Sequence, residues 1–410
     1  MIFAFLLAAA GLAAATVELP TGWQKIPPSA KIKPGKFQGE PRYLTWMADS
    51  QIQHGVEPTL AYTVSAYYSG ILRAYERTGD PKYFEYVKYG TDILLYPGTN
   101  GIPDGSILMY NGSNSIDDIR IGHTFLDIYN ATGEEIYLTA AQQLRDQIDT
   151  SRRTPDGGFY HRYPAYIDQM WLDGIYMLDV FYARWTHTFE PDNTTAWDDI
   201  ALQFDLIDAG TTSDDRTEGL PVHGFDVSKK SIWADPETGA APHVWGRAVG
   251  WYIMALVDTL DFFPESHPGR ERLLGYLTSV SDAVVNAQDK KTKGWWNIMD
   301  PELRGADGNY IESSGSSMFV YGLLKATRLG YLKDKKYLKS ALSGYKLMTS
   351  TFASPRAHDG SLSYEWTVQT GSLSSNGTFE VRVAPSLPLI RVSDKTTLST
   401  TLACPFLRTT

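Results

Sequence analysis

The sequence predicts an all-α protein assembled from repeated helical hairpins, and three observations carry the prediction. Apolar side chains recur at helical spacing in segment after segment, the turns joining those segments share their chemistry, and Gly70, Gly122 and Gly174, read as helix-start glycines, follow one another every 52 residues. Such hairpins can stack as an open solenoid or close into a toroid. Aromatic and polar residues at the starts of alternate helices (Tyr67, Asp117, Asp173, Arg247, Ser316) favour closure, because a ring brings those ends together around one cleft.

The chain opens on Ile2 to Ala15, an almost unbroken apolar run ending in three alanines. It has the form of a secretory leader and is too short to span a bilayer. Residues 1–15 are therefore expected to be a signal peptide, and the protein to be secreted and extracellular. Four N-x-Ser/Thr sequons, at Asn111, Asn130, Asn193 and Asn376, agree with an exported glycoprotein. The single cysteine, Cys404, leaves no intrachain disulfide, so stability must come from the core. Hydrophobic residues at 43% and aromatics at 13% are enough to build one. Residues 16–39, rich in Pro, Lys and Gly, read as an irregular lead-in.

From Ala61 the pattern becomes helical. Val64, Tyr68, Ile71 and Tyr75 form one stripe, Thr78-Gly79-Asp80-Pro81 turns the chain, and a second helix runs on from Tyr83. The next unit has Ile121, Phe125 and Ile128, a Thr132-Gly133 turn and a helix over Ile136 to Asp149, so that TGEEIY answers TGDPKY. Trp171, Ile175, Leu178, Tyr182 and Trp185 mark a third unit. Val249, Ile253, Leu256 and Leu260 mark a fourth, with its second helix over Arg270 to Ala287; Phe319, Leu323 and Ala326 mark a fifth, followed by Lys335 to Met348. Residues 40–60 or the C-terminal region would supply a sixth. From Pro355 the composition turns to Gly, Ser, Thr and Val, with strand-like pieces such as Thr378 to Val383.

A net charge of −10 argues against nucleic acid and anionic membranes as partners. No phosphate loop, zinc motif or nucleophile elbow occurs, so neither metal nor cofactor is expected. What remains is carboxylates, aromatics, a histidine and an arginine. That is the inventory of sugar hydrolysis, in which rings stack on aromatic faces and carboxyl groups move protons. Asp173, two residues beyond Trp171 at a helix start, is either an N-cap or a general acid whose apolar neighbours disfavour its charge. Asp117 takes the same place in its own repeat, with Asp118 beside it as the better cap. His223 lies in the turn-rich LPVHGFD, where a histidine is either incidental or part of a site. Arg247 and Trp251 share a helix face as i and i+4, forming either a structural cation–π pair or a carboxylate clamp with an aromatic wall.

QMWLDGIYM, VWGRAVGWY and ESSGSSMF, in this order across the hairpin repeats, resemble the unsaturated rhamnogalacturonyl hydrolases of glycoside hydrolase family 105, over roughly residues 40 to 378. The resemblance implies an (α/α)6 barrel over 40–383. The sequence after Glu380 departs from the family's glycine-rich ending, leaving 384–410 as an atypical tail. Also implied are a catalytic acid/base at Asp173, a second essential acid at Asp117, and substrate contacts from Trp171, His223, Arg247, Trp251 and Tyr67. The implied activity is removal of 4,5-unsaturated galacturonic acid from the non-reducing end of lyase-generated pectin fragments, by a protein expected to be a monomer. In that chemistry an Asp173 that rests protonated donates to C4, the ring oxygen stabilises a cation at C5, water adds there, and the hemiketal opens. Asp117 would orient hydroxyls or water, and Arg247 would hold the uronate carboxylate. Two other readings stand beside it: a conventional inverting glycosidase using Asp117 and Asp173, and a secreted carbohydrate-binding protein without activity.

Overall fold

The computed structural model describes residues 42–98, 103–108, 110, 115–212, 215–373 and 377–379. The leader, the lead-in, the tail, and the sequons at Asn111 and Asn376 lie outside the described residues, as does most of the strand expected over Thr378 to Val383.

The helices are α1 Arg42–His54, α2 Tyr62–Thr78, α3 Pro81–Asp92, α4 Gly122–Thr132, α5 Glu135–Thr150, α6 Leu172–Gly174, α7 Val180–Phe189, α8 Thr194–Thr211, α9 Gly246–Thr259, α10 Gly269–Asn286, α11 Ser313–Arg328 and α12 Lys335–Leu347. A π-helical turn over Ile175–Asp179 joins α6 and α7 into one rod. They form two concentric layers. The inner layer, α2, α4, the α6–α7 rod, α9 and α11, is apolar around most of its girth; in α9 only Asp258 escapes full burial. The outer helices bury a single stripe, as in α12, where Tyr337, Ser340, Ala341 and Gly344 fall at i, i+3, i+4 and i+7.

The matching turns have one physical cause. Gly79 and Gly133 sit in the left-handed region at φ 70° and 71°, each donating its N–H to the carbonyl four residues back, Tyr75 or Tyr129, at 2.7 Å. A side chain there would be strained, so each inner helix stops at its glycine and turns outward.

Closure is decided by α1. On one side its Asp49 accepts from the Tyr83 hydroxyl at 3.0 Å and pairs with Lys82 at 2.8 Å. On the other, Trp46 Nε1 donates to Gly360 O at 2.9 Å, and Ser50 Oγ accepts from Leu362 N at 2.8 Å. The first helix thus binds both the first hairpin and the C-terminal segment, which makes the array a closed barrel. Among the described residues six helices form the outside and five helical rods the inside.

The glycine repeat needs correction. Gly122 and Gly174 stand at helix beginnings, but Gly70 lies in the middle of α2, which starts at Tyr62. Two short antiparallel ribbons complete the fold: β1 Gln169–Trp171 with β2 Gly224–Asp226, and β3 Ala353–Pro355 with β4 Leu362–Tyr364.

Candidate active site

The β1–β2 ribbon brings the two central groups together. Trp171 pairs with Gly224, and Leu172 N donates to His223 O at 3.0 Å, so the residue after β1 and the residue before β2 are held side by side. His223 Nε2 then lies 2.9 Å from Asp173 Oδ2. Gly224 is required for this approach, because a Cβ there would meet Met170 O at 2.6 Å and Trp171 Cα at 3.0 Å. Asp173 is not an N-cap. Trp171 holds that position, and Asp173 is the second helical residue, two before the π-helical turn.

Asp117 lies in the single 3-10 turn Ile116–Ile121 that leads into α4. Its Oδ2 accepts from Arg162 Nη2 at 2.6 Å, and its Oδ1 is 3.6 Å from His161 Nε2. Both partners come from the segment between α5 and β1, which bridges Ser115 to Arg162 and returns His161 N to Gln169 O at 2.9 Å. His161 in turn stacks on Trp171, ring centroids 4.3 Å apart and nearly parallel at 12°. The two carboxylates therefore flank one aromatic and imidazole stack, each with a histidine beside it. Of the adjacent acids it is Asp117, not Asp118, that carries these contacts to Arg162 and His161.

The other expected contact residues are placed differently. Trp171 is packed by His161, by Tyr166 at 4.5 Å and by His223 at 5.4 Å, and its Nε1 donates to Gln169 Oε1, so it supports the histidines and is not an open stacking wall. Trp251 is 1% exposed and stacks on Tyr176 at 4.8 Å, below the site. Arg247 is 3% exposed and its guanidinium is already engaged. Nε donates to Ser314 Oγ at 2.7 Å, Nη1 to Gln369 O at 3.1 Å and Nη2 to Val368 O, with Glu312 3.7 Å away. It lies over Trp245, not Trp251. Tyr67 is buried in the core, its hydroxyl donating to Gln51 O at 2.7 Å. Because α2 begins at Tyr62, the tyrosine at the helix mouth is Tyr62. It packs edge-on against Trp251 at 6.1 Å and feels Arg247, Asp117, Asp173 and Arg162.

The model of Glycosyl Hydrolase Family 88 matches residues 42–381. A solved glycoside hydrolase of family 105 from C. acetobutylicum ATCC 824 superposes with a TM-score of 0.80 at 33% identity, covering 88% of this chain and 98% of that one. The chain belongs to glycoside hydrolase family 105. Among curated relatives, Protein Atu3128 of Agrobacterium fabrum is 42% identical to the hydrolase over 125 residues, 30% of this chain. That match spans only about half of the relative, 52% of its length. The protein named unsaturated rhamnogalacturonyl hydrolase YesR, from Bacillus subtilis, is 26% identical over 285 residues, 67% of this chain and 72% of YesR.

The electrostatics of the hydrolase's site correct one expectation. Burial pushes the Asp173 carboxyl up, but the charge and hydrogen bond of His223, with the charge of His161, outweigh it and bring Asp173 below the ordinary carboxylate value. Asp173 is thus an anion in the resting site, where sequence reasoning had it protonated. The apolar neighbours were legible, but the histidine 50 positions away was not legible as its partner. Burial also pushes the Tyr62 hydroxyl up to about 12, against the opposing pull of Arg247, so Tyr62 stays a neutral donor. Sequence reasoning missed Tyr62, His161, Arg162 and Tyr166. The one available signal was the basic pair His161-Arg162 shortly before the W-x-D motif.

Proposed function

We propose that this hydrolase is a secreted monomer that releases 4,5-unsaturated galacturonic acid from the non-reducing end of rhamnogalacturonan fragments. The observation that carries the reading is the Asp173–His223 pair: at 2.9 Å the two groups hold one proton between them. With that proton on His223, Asp173 is a base; with it on Asp173, the pair is an acid. The arriving uronate expels water and adds a negative charge, both of which favour the proton on Asp173. Asp173 then donates it to C4, and the ring oxygen stabilises the cation at C5. Water attacks C5 and gives a proton back to Asp173, and the hemiketal opens to release the aglycone.

Arg162 is better suited than Arg247 to the uronate carboxylate, since its side chain is 43% exposed and lies beside Asp117. The similarity to YesR supports the rhamnogalacturonan class, and the apolar leader and the exposed Asn130 sequon support export. The test is a time course on lyase-generated unsaturated rhamnogalacturonan disaccharide, following product and the ultraviolet absorbance of the alkene together. Parallel loss of absorbance is expected. Release of sugar with the alkene intact would mean a conventional inverting route, and binding without product would mean a non-catalytic protein.

A further inference from the structure

A charged cavity of about 100 Å³ lies among the inner helices, partly open to solvent beside the half-exposed Arg73 and Glu76. Three of its four cations have carboxylate partners. Arg73 pairs with Glu76 at 2.7 Å, Arg184 with Asp127 at 2.6 Å, and Lys325 with both Asp258 at 2.7 Å and Asp261 at 2.5 Å. Because Lys325 serves two carboxylates, Arg120 is left with none among the described residues.

Arg120 is 5% exposed. Its Nη2 donates to the Tyr176 hydroxyl at 3.0 Å, while Nε and Nη1 find no acceptor among the described residues. Beside it His123 accepts at Nδ1 from Arg184 Nη1 at 3.4 Å. A neutral imidazole that accepts at Nδ1 carries its proton on Nε2, and that nitrogen is also without a partner. Burial, reinforced by Arg120, Arg184 and Arg73, holds His123 well below the ordinary histidine range, so it is neutral. Three buried donor nitrogens in the wall of the cavity therefore have no acceptor among the described residues, and one of the two groups is a cation without a carboxylate partner.

We propose that this cavity binds a small monovalent anion of the size of chloride or nitrate, held by Arg120 and His123. An anion satisfies the donors and compensates the buried charge together, whereas water satisfies only the donors. The volume corresponds to about three waters at roughly 30 Å³ each, which excludes a sugar ring. The lining holds four carboxylates and four cations, so it is Arg120, the one without a carboxylate partner, and not a net positive cavity that draws the anion. The site also touches the catalytic floor. Arg120 is three residues beyond Asp117 in the same short turn, and the Tyr176 it holds stacks on Trp251 at 4.8 Å. Filling the cavity thus steadies both.

The experiment soaks crystals of the full-length protein in sodium bromide and follows thermal unfolding in sodium bromide, nitrate or gluconate at matched ionic strength. An anomalous bromide peak within hydrogen-bond distance of Arg120 and His123 is expected. Stabilisation should saturate with bromide and nitrate and be absent with gluconate, which is too large. Arg120→Gln should abolish the saturable response, and His123→Phe should weaken it about tenfold. If Arg120→Gln does not fold, His123→Phe and the soak decide alone. A cavity holding only water, a response identical in all three salts, or Asp258 or Asp261 paired with Arg120 in the crystal would overturn the proposal.

Discussion

Replacing Arg247 with methionine separates two roles that the sequence left open. In the structure its guanidinium ties the 368–369 backbone to α11: it reaches Ser314 Oγ, Gln369 O and Val368 O and faces Glu312 at 3.7 Å. Glu312 is equally committed, accepting from Ser314 N, Gly315 N and Val368 N at 2.7–2.9 Å. Methionine keeps the stem but leaves two carbonyls without donors and a carboxylate buried without its cation. Breaking one side of such a buried pair costs about 3–5 kcal/mol. Arg162→Met, by contrast, removes a side chain that is 43% exposed, and should cost only about 1–2 kcal/mol while raising KM tenfold or more on the order expected for a lost charged contact. Urea denaturation and steady-state kinetics on both variants check this. An Arg247→Met protein with an unchanged unfolding midpoint and a strongly raised KM would refute the reasoning and return Arg247 to the uronate.

Four further outcomes are expected. Asp173→Asn should lose on the order of 10²–10⁴ in turnover while remaining folded; near wild-type turnover would remove it as acid/base. Because the folded Asp173 carboxyl lies below its ordinary 3.8, its pairing stabilises the fold above that pH and is lost as pH falls through the folded value. The stability gap between wild type and Asp173→Asn should therefore hold at neutral pH and close in acid, as urea midpoints across pH would show. Gly174→Ala places a Cβ 2.7 Å from Ile116 Cδ1 and 3.1 Å from His161 Nδ1, and should cost about 1–3 kcal/mol with reduced activity; an active variant of unchanged stability would mean that this contact relaxes freely. In a eukaryotic host, mass spectrometry should find glycan at the exposed Asn130 and little at Asn193. The Asn193 amide already donates to Glu190 Oε2 at 2.8 Å and caps α8 through Ala196 N, so full occupancy at Asn193 would contradict the cap.

The hairpins were legible because each inner helix carries a local signal: an apolar face at helical spacing and a glycine stop, as at Gly79 and Gly133. The W-x-D motif was legible too, and Asp173 lies at the centre of the candidate site. Tyr67 was misplaced because apolar residues continue through the first turns of α2, and nothing local marks Tyr62 as the first helical residue; Ala61 precedes it without a side-chain cap. Trp251 and Arg247 lie on one helix as i and i+4, but which neighbours they meet is set by distant residues: Tyr176 and Tyr62 for Trp251, and α11 with residues 368–369 for Arg247.

By itself, then, the sequence determined the all-α class, the hairpin units and the family, and marked Asp117 and Asp173 as candidates, since periodicity, turn chemistry and short motifs are written in neighbouring residues. Closure of the ring by α1, the Asp173–His223 contact, the Asp117–Arg162 pair and the engagement of Arg247 were decided only by the tertiary structure. Each joins groups far apart in the chain, and their charge states follow from burial and partners that no local pattern records.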